Sequence, residues 1–262
     1  MTTSDVSLVK NPLADLFAGM GSVVMTALTS LRFLVTTPLH WGRTLAQAAA
    51  LGADSAPMAV LICLMAGGVV SLQVALRFIQ TGADDYVGGL VGLAIVREIA
   101  PLFTALSVGA RSGTAMASEI ANMAITEQLD ALRSLHVHPV RYALVPRLVA
   151  AVATVPLLTM LAGSTAVLGA MGVAKGVAQL HPRKFLDSMW LIVTPEDCLK
   201  AMLKAVLFGA LIVWVCGTTG LNTHGGTKEV GLSARQAAIW ATLTIIVADV
   251  LLSLILYSPI RE

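Results

Sequence analysis

The stretch Leu148 to Ala174, LVAAVATVPLLTMLAGSTAVLGAMGVA, carries no charged side chain. A helix crosses the roughly 30 Å hydrocarbon core of a bilayer with about 20 apolar residues, so this run is long enough to span it. In hydrocarbon every backbone N–H and C=O must be bonded inside the protein, and a single crossing segment meets that demand as an α-helix. Pro156 removes one such bond and should kink the helix. Membrane helices tolerate this where neighbours satisfy the freed carbonyl.

Composition extends the argument to the whole chain. Of its 262 residues 56% are hydrophobic and 12% charged, whereas soluble domains carry about 25% charged residues. The same length ruler finds five spans, at about 56–76, 87–110, 148–174, 199–219 and 236–258. Residues 11–50 mix apolar side chains with Ser, Thr, Arg32, His40, Trp41 and Arg43, which suits a helix lying in the interface. The alternative is a sixth span at about 16–36. The fold class is therefore all-α: a polytopic membrane protein of five transmembrane helices preceded by an N-terminal interfacial helix. No fixed-period repeat, low-complexity tract or linker divides residues 1–262, so a single domain is expected. The N-terminus lacks a compact basic-then-apolar leader, and a cleaved signal peptide is not expected.

Orientation follows from the basic residues outside the spans. With the N-terminus in the cytoplasm, inner segments hold Lys10, Arg32, Arg43, Arg111, Arg133, Arg141, Arg147, Lys228 and Arg235. Outer segments then hold only Arg77, Lys175, Arg183, Lys184 and Arg261. This favours a cytoplasmic N-terminus and an outer C-terminus. Tyr86, Trp190 and Tyr257 then fall at the outer boundary and Trp41, Tyr142 and Trp240 at the inner one, as aromatic belts require.

Several function classes lose support. A net charge of +2 gives no global basic field for nucleic acid. Cys63, Cys198 and Cys216 are odd in number and unevenly spaced, so they read as packing residues and not as a disulfide framework. No helical His-x-x-x-His or Cys-x-x-Cys pair supports a metal. GLNTHGGTKEVG evokes a phosphate loop, but Gly225 is followed by Gly226-Thr227-Lys228 and no buried strand precedes it, so the chain is not expected to hydrolyse nucleotide. Ser112 invites an intramembrane nucleophile, yet His40, His136, His138, His181 and His224 all lie outside the expected spans.

Arg97 and Glu98 sit in the middle of an apolar span. An ionised side chain facing lipid there costs at least about 2.5 to 3.5 kcal/mol, so Glu98 should face a cavity, a partner charge or another subunit. Neighbours on a helix point about 100° apart, so the two need separate environments. Pro101 cannot donate to the Arg97 carbonyl, which leaves a polar backbone site where the helix can bend. Lys204 in the fourth span is a candidate partner for Glu98, and Asp249 lies mid-span in the fifth. The pairing reads either as a working site or as an ion pair that only fixes helix packing.

Two further patterns follow. Ala105, Gly109, Gly113 and Ala117 recur at every fourth position, a ladder that lets another helix approach within the subunit or at a dimer seam. In residues 118–135, Glu119, Glu127 and Asp130 precede Arg133 while Ile120, Met123, Ala124 and Leu132 keep helical spacing. Pro139 marks a stop. This helix offers an amphipathic face to a cytosolic protein or is an ordinary interfacial loop helix.

The segment VREIAPLFTALSVGARSGTAMASEIANMAITEQLDALRSLHVHPVRYALVPRLVAAVATVPLL closely resembles the core of the MlaE/YrbE permeases. These are the membrane subunits of lipid-transporting ABC systems that work with MCE proteins. The resemblance rests on R-E-x-x-P, the glycine pair around Arg111, A-E-I, T-E-Q-L-D-A-L, the H-P turn and P-R before an apolar helix. It extends more loosely to CLKAMLKAVLFGALIVW and the Asp249 region, while the 220–232 loop and Val96 before the charged pair depart from the pattern.

The resemblance implies a homodimer in the bacterial cytoplasmic (inner) membrane, with a cytosolic ABC ATPase beneath it and an MCE-domain protein on the outer face. It places Arg97, Glu98 and Lys204 at a phospholipid pocket, with Leu102 and Ala105 counted in the same set. Glu119, Glu127, Gln128, Asp130 and Arg133 belong to its coupling helix. No cofactor is expected in this chain, since ATP is bound by the partner ATPase. The implied function is transport of phospholipid between the membrane and the MCE protein, without catalysis by this chain. Competing readings are an ion-coupled secondary transporter using Glu98 or Asp249 and an intramembrane hydrolase using Ser112.

Overall fold

A computed structural model describes residues 12–36, 41–81 and 83–257. Among them there is no strand, and twelve α-helical elements follow one another. Part of the expected interfacial region (37–40, with His40) and the basic residues Lys10 and Arg261 lie outside the described residues.

Six stretches are long and apolar enough to cross a membrane. The first is Ala18–Thr36, inside α1 (Pro12–Thr36). It coincides with the alternative sixth span, and only 6% of its most apolar window is buried within the chain. The second, Trp41–Phe78, joins α2 (Trp41–Gly52) to α3 (Ala56–Thr81). The other four are Val87–Ile125, Pro139–Val177, Pro195–Leu221 and Thr227–Tyr257. Each of the last five takes in one expected span, the fifth (236–258) up to its last described residue Tyr257, and outruns it at one end or both, because hydropathy detects only the residues that sit in hydrocarbon. At about 1.5 Å per residue a 39-residue helix is nearly twice the thickness of the apolar core, and its polar ends continue beyond it.

The second expected span needs the largest revision. It comprises α4 (Val87–Ala94), a π-helical segment at Ile95–Ile99, α5 (Ala100–Val108), a second π segment at Gly109–Gly113 and α6 (Thr114–Ile125), without a break. The expected helix over 118–135 is therefore not one element. Its first half belongs to α6, and the break falls at Glu127, whose φ of 60° puts a non-glycine residue in the left-handed region. That conformation ends a helix, and α7 (Gln128–Ser134) starts afresh. Pro139 opens a helix as its first residue, in α8 (Pro139–Ala143), because its missing N–H is unpaired at that position anyway.

At the centre lies α9 (Val145–Ala178), touching α2, α3, α5 and α11 (Pro195–Leu221). The short α10 (Pro182–Ile192) packs on α4, and α12 (Thr227–Tyr257) on α11 and α6. The tightest seam joins α3 to α9. On α3, Ala59, Cys63, Ser71 and Ala75 are wholly buried at four-residue spacing around Gly67; on α9, Ala162, Ala166, Ala170 and Ala174 match them. A Cβ at Gly67 would collide with the Ala166 carbonyl and one at Gly169 with the Leu64 carbonyl. Ser71 Oγ donates to Ala170 O at 2.8 Å across the seam. In lipid there is no water to drive helices together, so this backbone-to-backbone fit supplies the dispersion contact that holds them.

This seam predicts a contrast between two substitutions. Gly67→Leu drives a side chain into the α9 backbone and should lower the melting temperature of the detergent-solubilised protein sharply, as overpacking costs about 1–3 kcal/mol or more. Gly172→Leu, where a Cβ meets nothing within 4 Å, should leave it unchanged within error.

Candidate functional site

The site is built around a proline. Pro101 has no N–H to give to Arg97 O, and the preceding turn widens into the π segment, with Ala100 N–H donating five residues back to Ile95 O. The freed Arg97 carbonyl instead accepts from Lys204 Nζ at 3.0 Å. One missing hydrogen bond in the second span thus draws in an ammonium from α11.

Lys204 has no exposed surface, so its charge must be met inside the protein. Its three protons have three acceptors: Arg97 O at 3.0 Å, Glu98 Oε2 at 2.9 Å and Ser253 Oγ at 2.9 Å. Asp249 Oδ1 lies 2.7 Å away and contributes Coulombic attraction without a well-aligned hydrogen bond. Ser253 passes the connection on, donating to Glu98 Oε1 at 2.8 Å. The ammonium therefore ties the second span, α11 and α12 at one point.

Arg97 points elsewhere, as the helical angle requires. Its Nη2 and Nε both reach Asp197 Oδ1 at 2.8 Å. Asp197 is already fixed by a capping box at the start of α11: Thr194 N–H donates to Asp197 Oδ2 at 3.0 Å and Asp197 N–H donates back to Thr194 Oγ1 at 3.3 Å, with Thr194 Oγ1 donating to Oδ2 at 2.8 Å besides. The Tyr257 ring lies under the guanidinium, its centroid 4.6 Å from Arg97 Cζ. The cluster formally holds two cations, Arg97 and Lys204, against three carboxylates, Glu98, Asp197 and Asp249. Exposure is uneven: the Glu98 and Arg97 side chains are 41% and 35% exposed, while Asp249 is 11% and Lys204 0%. The site offers a reachable carboxylate and guanidinium on a buried, cross-linked base.

The remaining sequence candidates divide. Leu102 follows Glu98 by one turn and is half-buried. Ala105, grouped with the lipid-contacting set, is fully buried and packs against its neighbours; a small residue next to a polar site is no guide to which way it faces. With Gly109, Gly113 and Ala117 it is buried inside the subunit: Cβ atoms at the two glycines would meet Ile245 of α12 and Cys216 of α11. Glu119 pairs with the buried Arg147 at 2.6 Å, which ties α6 to α9. Asp130 and Arg133 form an exposed pair within α7 at 2.6 Å, and Glu127 and Gln128 sit at the α6–α7 break. Ser112 shares a hydrogen bond of 2.8 Å with Ser55 and donates to Ala50 O at 3.4 Å, neither of which is a proton-accepting base.

Asp197, Ser253 and Tyr257 were not foreseen as members of the site. The Thr194-Pro-Glu-Asp197 run is a capping signal that locates the helix start, and hence the carboxylate, but nothing local links it to a side chain 100 positions away.

A family profile described as permease MlaE matches residues 44–255. The chain belongs to the MlaE permease family. It is 34% identical to a probable ABC transporter permease of Synechocystis over 82% of this chain and 81% of the relative. It is 30% identical to the chloroplast protein TRIGALACTOSYLDIACYLGLYCEROL 1 of Arabidopsis thaliana, over 93% of this chain and 69% of the relative. A probable ABC transporter permease of Rickettsia conorii is 27% identical over 89% and 90% of the two chains. The MlaE profile thus covers the charged cluster and all spans except that of α1.

Lys204→Met would strand two carboxylates around an apolar side chain. Loss of one partner of a buried pair costs about 3–5 kcal/mol, so thermal unfolding should shift down strongly. Adding Glu98→Gln and Asp249→Asn to that variant should recover much of the loss.

Proposed function

We propose that this MlaE-family chain is the membrane subunit of an ABC transporter that moves phospholipid between the membrane and an MCE-domain protein. It acts as a homodimer in the bacterial cytoplasmic membrane, and ATP is bound and hydrolysed by a separate cytosolic chain. Relatives described as probable ABC transporter permeases support the transport class and the need for an ATPase. The Arabidopsis relative, named for a galactolipid, supports a lipid cargo.

The observation that carries the reading is the Glu98 side chain, 41% exposed and ion-paired with a fully buried Lys204. A carboxylate left facing hydrocarbon costs at least about 2.5–3.5 kcal/mol, so its open side calls for polar company, which a second subunit and a lipid headgroup supply together. The Arg97 guanidinium beside it, 35% exposed, suits the phosphate of that headgroup. In this reading ATP-driven closure of the ATPase acts on α6 and α7. The second span is one unbroken helix from Val87 to Ile125, so movement at α6 is transmitted to the turn that carries Arg97 and Glu98.

Transfer of fluorescent phospholipid, in vesicles holding this chain with its ATPase and MCE protein, tests the proposal. Glu98→Ala should reduce transfer by about tenfold or more while dimer and ATPase co-purify intact, consistent with the loss of one charge-assisted contact. Dissociation of the dimer with transfer per dimer unchanged would assign Glu98 to packing alone. Charge reversal at Glu127 or Asp130 should lower the amount of ATPase recovered with the chain and leave folding unaltered.

A second reading draws on the two carboxylates, Glu98 and Asp249, that share the single ammonium of Lys204. That formal excess of negative charge suits a transported cation, as in an ion-coupled transporter. Lipid transfer by ATPase-free proteoliposomes that stops when the proton gradient is collapsed would favour it.

A further inference from the structure

A second site lies at the other end of α11. From Lys204 to Thr218 is fourteen residues, about 21 Å along a helix, so it is well separated from the charged cluster. There α1, α11, α12 and the turn between the last two line a half-open cavity of about 540 Å³. This falls within the range of about 300–1,000 Å³ typical of small-ligand sites.

The lining is divided by polarity. Val24, Leu211, Val215 and Trp240 form an apolar wall. Thr218, Asn222, Glu229 and Gln236 form a polar end beside the α11–α12 turn. That turn depends on Gly225, whose φ of 115° is available to few other residues, and it folds so that the Glu229 stem passes close to the Gly225 backbone. Thr218 is 3% exposed and its hydroxyl has no partner, although the next residue, Thr219, follows the usual helical habit and donates to Val215 O at 2.8 Å. That hydroxyl is itself shut off from the cavity, so the polar groups open to a ligand are those of α12 and the turn.

Charge selects among amphiphiles. Glu229 is the only Asp, Glu, Lys or Arg in the lining, and it takes part in none of the ion pairs among the described residues. Besides Glu229 the lining's one other ionisable group is the imidazole of His224, and with no Lys or Arg present the carboxylate favours a protonated amine over an anionic head. We propose that this cavity binds the hydrocarbon chain of an amine-bearing amphiphile, with its ammonium on Glu229, its polar neighbours on Gln236, and its tail along Val24, Val215 and Trp240.

The test is photolabelling of the purified full-length chain in phosphatidylcholine nanodiscs, without nucleotide, so that it does not depend on lipid transfer. The probes are a diazirine-tagged long-chain alkylamine and the matched diazirine fatty acid. The amine should label peptides from α11 and from the first turns of α12 about tenfold more than the acid, the ratio expected for one charge-assisted contact. Gly19→Phe and Gln236→Trp put bulk into the lining and should abolish this labelling in protein that elutes as the parent does. Gly21→Phe, next to the cavity lining but not in it and with a Cβ that meets nothing within 4 Å, should retain it. Glu229→Gln should bring the amine down to the level of the acid. Equal labelling by both probes, insensitivity to both bulky variants, or protection from both probes by a second copy of the chain would each overturn the assignment.

Discussion

The buried ammonium of Lys204 is the interaction on which the functional half of the molecule depends. It is fully buried, so the second span must deliver two acceptors and α12 a third to the point where α11 places the ammonium. Two of these acceptors are side chains and the third is the carbonyl that Pro101 leaves free. A defect in one helix is therefore repaired by a charge on another, and the repair fixes where Glu98 stands. The same arrangement leaves the Glu98 side chain 41% exposed while both its carboxylate oxygens are held, by Lys204 and Ser253.

Elsewhere the bundle is held by fit more than by charge. In a bilayer the lipid tails are as apolar as the side chains, so helices gain by packing closely and not by escaping water. The α3–α9 seam achieves this with Ala, Gly, Ser and Cys at four-residue spacing, so that main chains touch. By contrast, α1 and the outer face of α12 present large apolar side chains such as Leu28, Val247 and Leu254 outward, where lipid or another subunit meets them.

The ends of the molecule differ in chemistry. The cluster at Arg97 and Glu98 offers both signs of charge, whereas the cavity beside Glu229 is lined by one carboxylate and one imidazole, His224, among uncharged groups. The two are joined by α11, and the second span runs from the cluster to the break at Glu127. Left-handed Glu127 and His136 bracket α7, which makes this short helix a discrete unit at the end of a long lever.

Much was legible in the sequence, for reasons that can be named. Within the described residues the five expected spans lie inside the observed helices, because twenty apolar residues in a row can do little else in a membrane protein. The need for partners at Glu98 followed from the cost of a charge in hydrocarbon, and the open Arg97 carbonyl followed from Pro101. Helix ends were less legible: α6 runs on to Ile125 and the 118–135 helix is split, because polar residues outside the hydrocarbon no longer disturb a helix and its end is set by the backbone at Glu127. The pairing of Arg97 with Asp197, the inward direction of Ala105 and the cavity behind α1 belong to the tertiary structure alone. Each depends on which helix faces which, and that is decided by distant small residues meeting across the bundle, a relation that no local stretch of sequence encodes.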